Sequence, residues 1–377
     1  MKTVLLTLGR LPKALELARA LRAAGARVLV AEPFLKHLTG TSRAVERSFV
    51  VTAPVVDRQR YLDDLRAIIA RERVDIVVPV SEEILHVAGL HGSLPDGCEL
   101  RCMPQQALLE VHDKGRFVAV CRAAGVAAPE TCDANAAEAR RLAAQHDYVV
   151  KPVSSCSGRG VQFFARGAAL PATAEPSIVQ RRVQGELLST FSIARAGELC
   201  QTVVYRGAVM QGTVAVCFER VEPSAAVHEW VRRFVAHTRF DGFVSFDLIV
   251  DASGVVYGIE CNPRATSGIH FVAPEGLAMA VLDPAMQRPI ALRPERMQQQ
   301  FYPCLTETQK SMFSAGFRHN LRCLLEAREV TWARTDPWPF IAMPYTAWNI
   351  IVLAARHRAT FGEVAMLDFA WVASGRA

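Results

Sequence analysis

The chain has 377 residues, of which 51% are hydrophobic and 21% are charged. This balance excludes a disordered protein and predicts an ordered one whose core is divided among about two or three domains. The net charge of +6, from 43 basic and 37 acidic residues, is modest and spread out, which argues against a nucleic-acid-binding protein.

The cysteines and the first residues indicate a cellular compartment. The ten cysteines include no CxxC pair, and the opening MKTVLLTLGR is typical of a strand rather than of a signal peptide. Both features predict free thiols in a reducing cytoplasm. Residues 340–355 approach the apolar character of a membrane segment, but they are too few to span a bilayer and include Pro344. We therefore expect a buried helix there and no membrane span.

Strand and helix patterns alternate in residues 1–110. An apolar run ends at Gly9, a helical pattern follows, and a second apolar run leads to Glu32. This order predicts βαβ units with parallel strands. Gly9 is followed by Arg-Leu-Pro and not by further glycines, which argues against a nicotinamide dinucleotide. Three polar residues after a later strand either contact a ligand or form the first turn of a helix: Ser81, Glu82 and Glu83.

Two lysines stand out in the next part of the chain. Lys114 opens a helix in DKGRF, and Lys151 ends the apolar strand YVVK before a proline. A lysine in a buried strand is costly unless it meets an anion. The small-residue loop that follows either closes over phosphate oxygens with its bare backbone amides or is an ordinary flexible hairpin loop. Its candidate phosphate contacts are Ser154, Ser155, Ser157, Gly158 and Gly160.

Residues 244–270, VSFDLIVDASGVVYGIECNPRATSGIH, have the pattern of a β-hairpin that leads into a polar loop. Asp247 and Glu260 are 13 residues apart, so the turn folds them back to face each other on adjacent strands. With Asn262 they make a hard oxygen site that suits Mg²⁺ holding nucleotide phosphates. Arg264 is a natural partner for a phosphate or a carboxylate. The alternative is a surface hairpin with acids at these positions by chance.

This ordered set of segments resembles the ATP-grasp superfamily, of the carboxylate–amine ligase type, over roughly residues 1–275. The resemblance implies an α/β ATP-grasp fold. Its parts would be an N-terminal Rossmann-like domain in residues 1–110, α+β nucleotide-binding subdomains in residues 111–275 with a small lid at about 126–187, and a C-terminal extension in residues 276–377. The sequence predicts a mainly helical extension, with helical patterns at 308–317, 319–328 and 346–357. The extension either caps the site or forms a homodimer face.

The resemblance also implies roles for individual residues. Lys114 and Lys151 would contact the phosphates, and Glu186 would hold the ribose hydroxyls, although many relatives carry that glutamate one position later, where this chain has Leu187. The segment implied to bond adenine through backbone groups contains Gln180, Arg182 and Val183. The residues implied to contact the acceptor substrate are Arg264, Ser267 and His270. A packed or capping histidine is the alternative for His270.

The function implied is an ATP-dependent ligase that forms an amide or peptide bond through an acyl phosphate and releases ADP and phosphate, with Lys151 and Arg264 as catalytic residues. Its cofactors would be ATP and Mg²⁺, with Mn²⁺ as a substitute. Its partners would be a small carboxylic acid and an amine or amino acid, in specialised biosynthesis. Two alternatives stay open: a phosphotransferase or thioester-forming ligase on the same fold, and a non-catalytic ATP-binding regulatory module.

Overall fold

The computed structural model describes residues 1–153, 160–283, 285, 289–357 and 364–371. Within these ranges the strands form an N-terminal sheet, a small sheet and a large sheet. No helix in the same ranges is both long and apolar enough to cross a bilayer. The nine cysteines in the described part of the chain are free thiols.

The N-terminal sheet is parallel, with strand order β3-β2-β1-β4-β5. Its central strands are short, apolar and buried because helices cover the sheet, as in other parallel sheets. The predicted βαβ pattern is confirmed. The elements are β1 (Thr3–Leu6), α1 (Pro12–Ala23), β2 (Arg27–Glu32), β3 (Arg47–Val50), α2 (Arg58–Glu72), β4 (Ile76–Val78), α3 (Ile84–Val87) and β5 (Glu99–Leu100).

Two helices connect this domain to the small sheet: α4 (Gln105–His112) and α5 (Lys114–Ala123). Asp113 caps α5, since its carboxylate accepts hydrogen bonds from the backbone amides of Gly115 and Arg116, both at 2.9 Å. The small sheet is antiparallel, with order β6-β9-β7-β8. Its elements are β6 (Thr131–Asp133), α6 (Ala137–Gln145), β7 (Tyr148–Pro152), β8 (Gln162–Phe164) and β9 (Ser177–Arg181).

The large sheet has strand order β14-β13-β10-β11-β12-β15-β16. Its elements up to β14 are β10 (Glu186–Arg195), β11 (Glu198–Gln211), β12 (Val214–Val221), α7 (Ala225–Thr238), β13 (Gly242–Val250) and β14 (Val256–Asn262). One face, which we call the inner face, carries Phe191 and Val203 and shares a core with the N-terminal domain. The opposite, outer face carries Leu188 and Leu248 and packs on α7. Successive residues of a strand alternate between the two faces.

The C-terminal part adds strands to this sheet as well as helices. Its elements are α8 (Pro274–Leu282), β15 (Met297–Gln299), α9 (Phe301–Lys310), α10 (Phe317–Glu326), β16 (Arg328–Glu329), α11 (Trp338–Ile341), α12 (Met343–Thr346) and α13 (Trp348–His357). The helix predicted at 308–317 is wrong in its position. α9 begins earlier because Pro303 lies in the first turn, where a missing amide is tolerated, and it ends at Lys310. The domain limits stay predictions, and α8 crosses the limit set at residue 275.

Packing on the outer face leads to a stability prediction at Gly258. A Cβ on this residue would lie 2.3 Å from Cζ2 of Trp230, whose ring is buried and stacks on Phe234 with centroids 5.6 Å apart. Gly258→Ala should therefore lower the free energy of unfolding by about 1–3 kcal/mol through overpacking, as measured by denaturant unfolding. Gly316→Ala is the matched control, since the nearest atom there is 3.6 Å away. Equal stability of the two variants would contradict the packing described.

Candidate active site

The predicted pair of carboxylates lies on the inner face of the large sheet. Asp247 on β13 is directly opposite Glu260 on the edge strand β14. On its other side Asp247 accepts a 2.7 Å hydrogen bond from the hydroxyl of Ser189, its partner on β10. The Asn262 amide nitrogen lies 3.5 Å from Asp247 Oδ2 and 3.4 Å from Glu260 Oε1. The structure therefore brings the three predicted metal ligands together and adds Ser189, which the sequence did not reveal.

Two lysines from different elements face these acids. Lys114 Nζ, at the start of α5, is 3.3 Å from Glu260 Oε2. Lys151, at the end of β7, is buried, and its Nζ donates a 2.8 Å hydrogen bond to Gln180 Oε1 on β9. Burial is the main cause that lowers the pKa of Lys151 to about 8, and the charge of Lys114 adds to it against the attraction of Glu260. Both lysines therefore place positive charge beside the carboxylates, one from α5 and one from the small sheet.

The two carboxylates respond oppositely to this environment. Burial, followed by the negative charge of Glu260, raises the pKa of Asp247. Burial alone would also raise the pKa of Glu260, but the charges of Lys114 and Lys151 outweigh it and the pKa is lowered. A like-charge pair of this kind is unfavourable until a cation lies between its members.

Arg264 connects the hairpin to the N-terminal domain. Its Nε and one terminal nitrogen lie 2.7 Å and 2.6 Å from Oε1 of the buried Glu82, and that nitrogen also donates to Asn262 Oδ1 at 3.0 Å. Nearby, Lys13 Nζ donates to Ser81 Oγ at 2.7 Å and to the carbonyl oxygen of Ala265 at 2.8 Å. Lys13 was not predicted, because the sequence carries no signal for a contact across 252 residues.

Glu186 does not lie with these residues. Strand alternation places it on the outer face of the large sheet, where its carboxylate is 3.0 Å from the Arg206 guanidinium. The neighbouring Leu187 is on the inner face, in line with Ser189, and is 60% exposed. The geometry therefore does not support Glu186 as the ribose ligand, and we carry that assignment no further.

His270 lies in the 3₁₀ turn Ser267–Phe271 and is buried. Its Nδ1 is 2.9 Å from Oε2 of Glu16 on α1, and burial lowers its pKa. The same glutamate accepts a 2.5 Å hydrogen bond from Arg293. This arrangement favours the packed histidine over a substrate contact. Ser267, at the start of the turn, is half-buried.

The nucleotide segments are described in part. Ser154, Ser155, Ser157 and Gly158 lie outside the described residues, so their contact with phosphate stays a prediction. Gly160 follows them with a φ of +75°, a conformation that suits glycine.

The segment expected to bond adenine connects the small sheet to the large one. The side chain of Gln180 is engaged with Lys151 and with Thr131 Oγ1. Arg182 is exposed over the ring of Phe163, and Val183 is half-buried. A role of these residues in binding adenine through their backbone groups stays a prediction.

A magnesium ion fits the donor set at the hairpin. In the part of the chain that the structure describes, no group of three or more His, Cys, Asp or Glu side chains could hold a metal ion by itself. The hairpin offers two carboxylates, which are hard oxygen donors, and their like-charge repulsion favours a divalent cation. The amide oxygen of Asn262, which accepts from Arg264 in this structure, would join them after the amide rotates. Such a set suits a metal that takes its remaining ligands from bound phosphates.

A parallel N-terminal sheet, a small antiparallel sheet and a large sheet with paired acids on its hairpin together define the ATP-grasp fold. Residues 111–268 match the model of the ATP-grasp domain family. This part of the chain is therefore similar to ATP-grasp domains. No curated protein matches it in sequence.

Solved structures share this fold at low sequence identity. N5-carboxyaminoimidazole synthetase from Staphylococcus aureus has a TM-score of 0.63 and 12% identity, over 83% of this chain and 85% of that one. L-amino acid ligase from Bacillus licheniformis has a TM-score of 0.59 and 15% identity, over 79% and 78%. The biotin carboxylase domain of the Hydrogenobacter thermophilus 2-oxoglutarate carboxylase, solved with MgADP and bicarbonate, has a TM-score of 0.57 and 16% identity, over 71% and 64%. The chain thus spans a little under two thirds of that last domain.

The lowered pKa of Lys151 generates a prediction about nucleotide affinity. Lys151 loses its charge as the pH rises through about 8, so the Kd for ATP should rise above that pH, by up to tenfold per pH unit. The Lys151→Arg variant stays charged and should bind ATP with little pH dependence. Calorimetric titrations from pH 6.5 to 9.5 measure both. An identical pH profile for the two proteins would show that Lys151 does not contact the nucleotide.

Proposed function

We propose that the protein is an ATP-dependent carboxylate–amine ligase. The observation that carries this proposal is the pairing of Asp247 with Glu260 between two sets of fixed cations, Lys114 and Lys151 on one side and Arg264 on the other. Phosphoryl transfer needs cations around the triphosphate and around the attacking acid, and little covalent chemistry from the protein. This set of charges meets that need.

In the proposed reaction an oxygen of the acceptor carboxylate attacks the γ-phosphorus of ATP, which gives an acyl phosphate and ADP. The amine then attacks the acyl carbon and releases phosphate. Lys114 and Lys151 hold the phosphates, and their positions are set before ATP arrives by Glu260 and Gln180. Asp247, Glu260 and Asn262 would hold Mg²⁺, which would supply positive charge against the developing charge of the phosphates. Mn²⁺ would substitute for it.

Arg264 would orient the acceptor carboxylate beside the γ-phosphate. Its guanidinium is held in place by Glu82 and by the Asn262 oxygen, so the acceptor would meet a positive charge at a defined position. In this structure Glu82 occupies two of its nitrogens. We propose that the acceptor carboxylate binds beside this pair, at the junction with the N-terminal domain. Ser267, which follows closely in the chain, would line the same position.

The names of the structurally similar proteins support the general chemistry. One is a synthetase, one is an amino acid ligase, and one is a carboxylase domain solved with MgADP. They favour ATP, Mg²⁺ and a small carboxylic acid with an amine or amino acid as the partners of this chain. A specialised biosynthetic role in the cytoplasm and a homodimer remain parts of the proposal.

The first test measures ADP release with ATP and Mg²⁺ against pools of carboxylic acids and amino acids. Glu260→Gln should reduce the rate about 10²- to 10³-fold, since it removes one negative ligand from the phosphate site. Glu198→Gln, an exposed glutamate on β11, is the matched control and should keep full activity.

Each outcome separates the alternatives. Release that requires an acid and an amine together supports the ligase. Release with an acid alone, accompanied by a phosphorylated product, identifies a phosphotransferase, and a requirement for a thiol identifies a thioester-forming ligase. ATP binding without ADP release across the pools would replace the ligase with a non-catalytic module.

A second prediction concerns Arg264. The Arg264→Lys variant keeps a positive charge beside Glu82 but loses the planar guanidinium, which contacts Glu82 through two nitrogens. Its kcat/KM for the acid should fall about 10- to 100-fold, while the Kd for ATP changes less than about twofold. Arg296→Lys, in an exposed pair with Glu222, is the control and should behave like the wild type. A loss of ATP affinity equal to the loss in kcat/KM would contradict the role given to Arg264.

A further inference from the structure

The last described helices carry an unusual exposed apolar surface. Backbone hydrogen bonds continue from residue to residue across α11, α12 and α13, with Ala342 bonded to Trp338 at 2.8 Å, Thr346 to Ala342 at 2.9 Å and Ile351 to Ala347 at 2.9 Å. The three helices therefore follow one nearly continuous helical path. Large apolar side chains recur along it at intervals of three or four residues, which places them on one face. We call them the aromatic stripe: Trp338 (50% exposed), Ile341 (55%), Tyr345 (58%), Trp348 (61%) and Ile351 (42%).

The opposite face of the same helices is already used for packing. Ile350 is buried, and Leu353 and Ala354 pack with it in a cluster that includes Leu11 and Phe34 of the N-terminal domain. A helix needs one apolar face to stay attached to a protein, and this one has two. The aromatic stripe is therefore not required for attachment, and a contiguous apolar surface of this kind marks an interaction site.

The helices of the aromatic stripe carry no acidic side chain, and two basic side chains lie beside them or at their end. No acidic residue occurs from Pro337 to Arg356 in the sequence. Lys36 Nζ lies 4.3 Å from the centre of the Tyr345 ring, and Arg356 is exposed at the end of α13. Leu35, beside Lys36, is also exposed and adds to the apolar area. The surface thus combines aromatic and aliphatic side chains with basic groups.

We propose that the aromatic stripe docks on a membrane surface that contains anionic phospholipids. Tryptophan and tyrosine are enriched at the boundary between headgroups and acyl chains, and basic residues there are attracted to anionic lipids. The helices would lie on the membrane and not cross it. A second copy of the chain fits less well: symmetric pairing would bring the basic groups of both copies onto a face whose helices offer no acid. This proposal does not depend on the proposed enzymatic function.

The test is co-sedimentation of the full-length protein with vesicles of phosphatidylcholine alone or mixed with phosphatidylglycerol. The protein should bind the mixed vesicles, and Trp348→Ser should weaken binding about tenfold, as expected for one buried apolar side chain. Lys36→Glu should weaken binding to the mixed vesicles about tenfold and have no effect at high salt. Phe313→Ser, an exposed apolar residue outside the stripe, is the matched control and should bind like the wild type.

Three further measurements accompany the binding assay. Each variant should keep the thermal midpoint and ATP affinity of the wild type, since the substituted side chains are exposed. The oligomeric state is measured by sedimentation velocity without lipid. Failure of the wild-type protein to bind mixed vesicles would overturn the proposal. So would equal weakening by Phe313→Ser, or a dimer that Trp348→Ser dissociates, which would assign the aromatic stripe to a second copy.

Discussion

The repulsion between Asp247 and Glu260 is the constraint around which the nucleotide site is organised. Two partly buried carboxylates at directly opposite strand positions are unfavourable, and the groups that compensate them come from separate parts of the fold. Ser189 comes from the next strand, Lys114 from the linking helix and Lys151 from the small sheet. Side chains from three separate elements therefore lie around the two carboxylates of one hairpin. In the proposed function, a metal and a triphosphate would complete an arrangement of charges that is already present.

The part of the site that we propose for the acceptor contains a second buried pair of charges. Glu82 from the N-terminal domain meets Arg264 from the large sheet, and removal of one member of such a pair typically costs about 3–5 kcal/mol because the other charge stays buried. The shared core extends from the N-terminal sheet to the inner face of the large sheet. The N-terminal domain is thus fixed against the hairpin. This rigidity suits a reaction in which the acid must meet the γ-phosphorus at a defined angle.

The sequence predicted those parts of the site that depend on short-range pattern. A hairpin fixes the relative position of Asp247 and Glu260 through one turn, so alternation and spacing were sufficient. The pair of Arg264 with Glu82 joins residues 182 positions apart, and no local pattern specifies it. Glu186 shows a different limit, because a shift of one residue along a strand exchanges the two faces of the sheet, and the sequence around Glu186 and Leu187 does not fix that register. In the C-terminal extension, β15 and β16 are too short to show the alternation of apolar and polar residues typical of a strand. They form because β15 pairs with the edge of the large sheet at β12, and β16 then pairs with β15.

The N-terminal domain also contacts the C-terminal extension. These contacts connect the candidate active site to the aromatic stripe. Arg10, just before α1, holds Asp368 at 2.7 Å, and Arg19 within α1 holds Asp336 at 2.9 Å. The same helix supplies Lys13, which contacts the loop after Arg264. Because α1 contacts both the loop after Arg264 and the segment that precedes α11, it connects the aromatic stripe to the candidate active site.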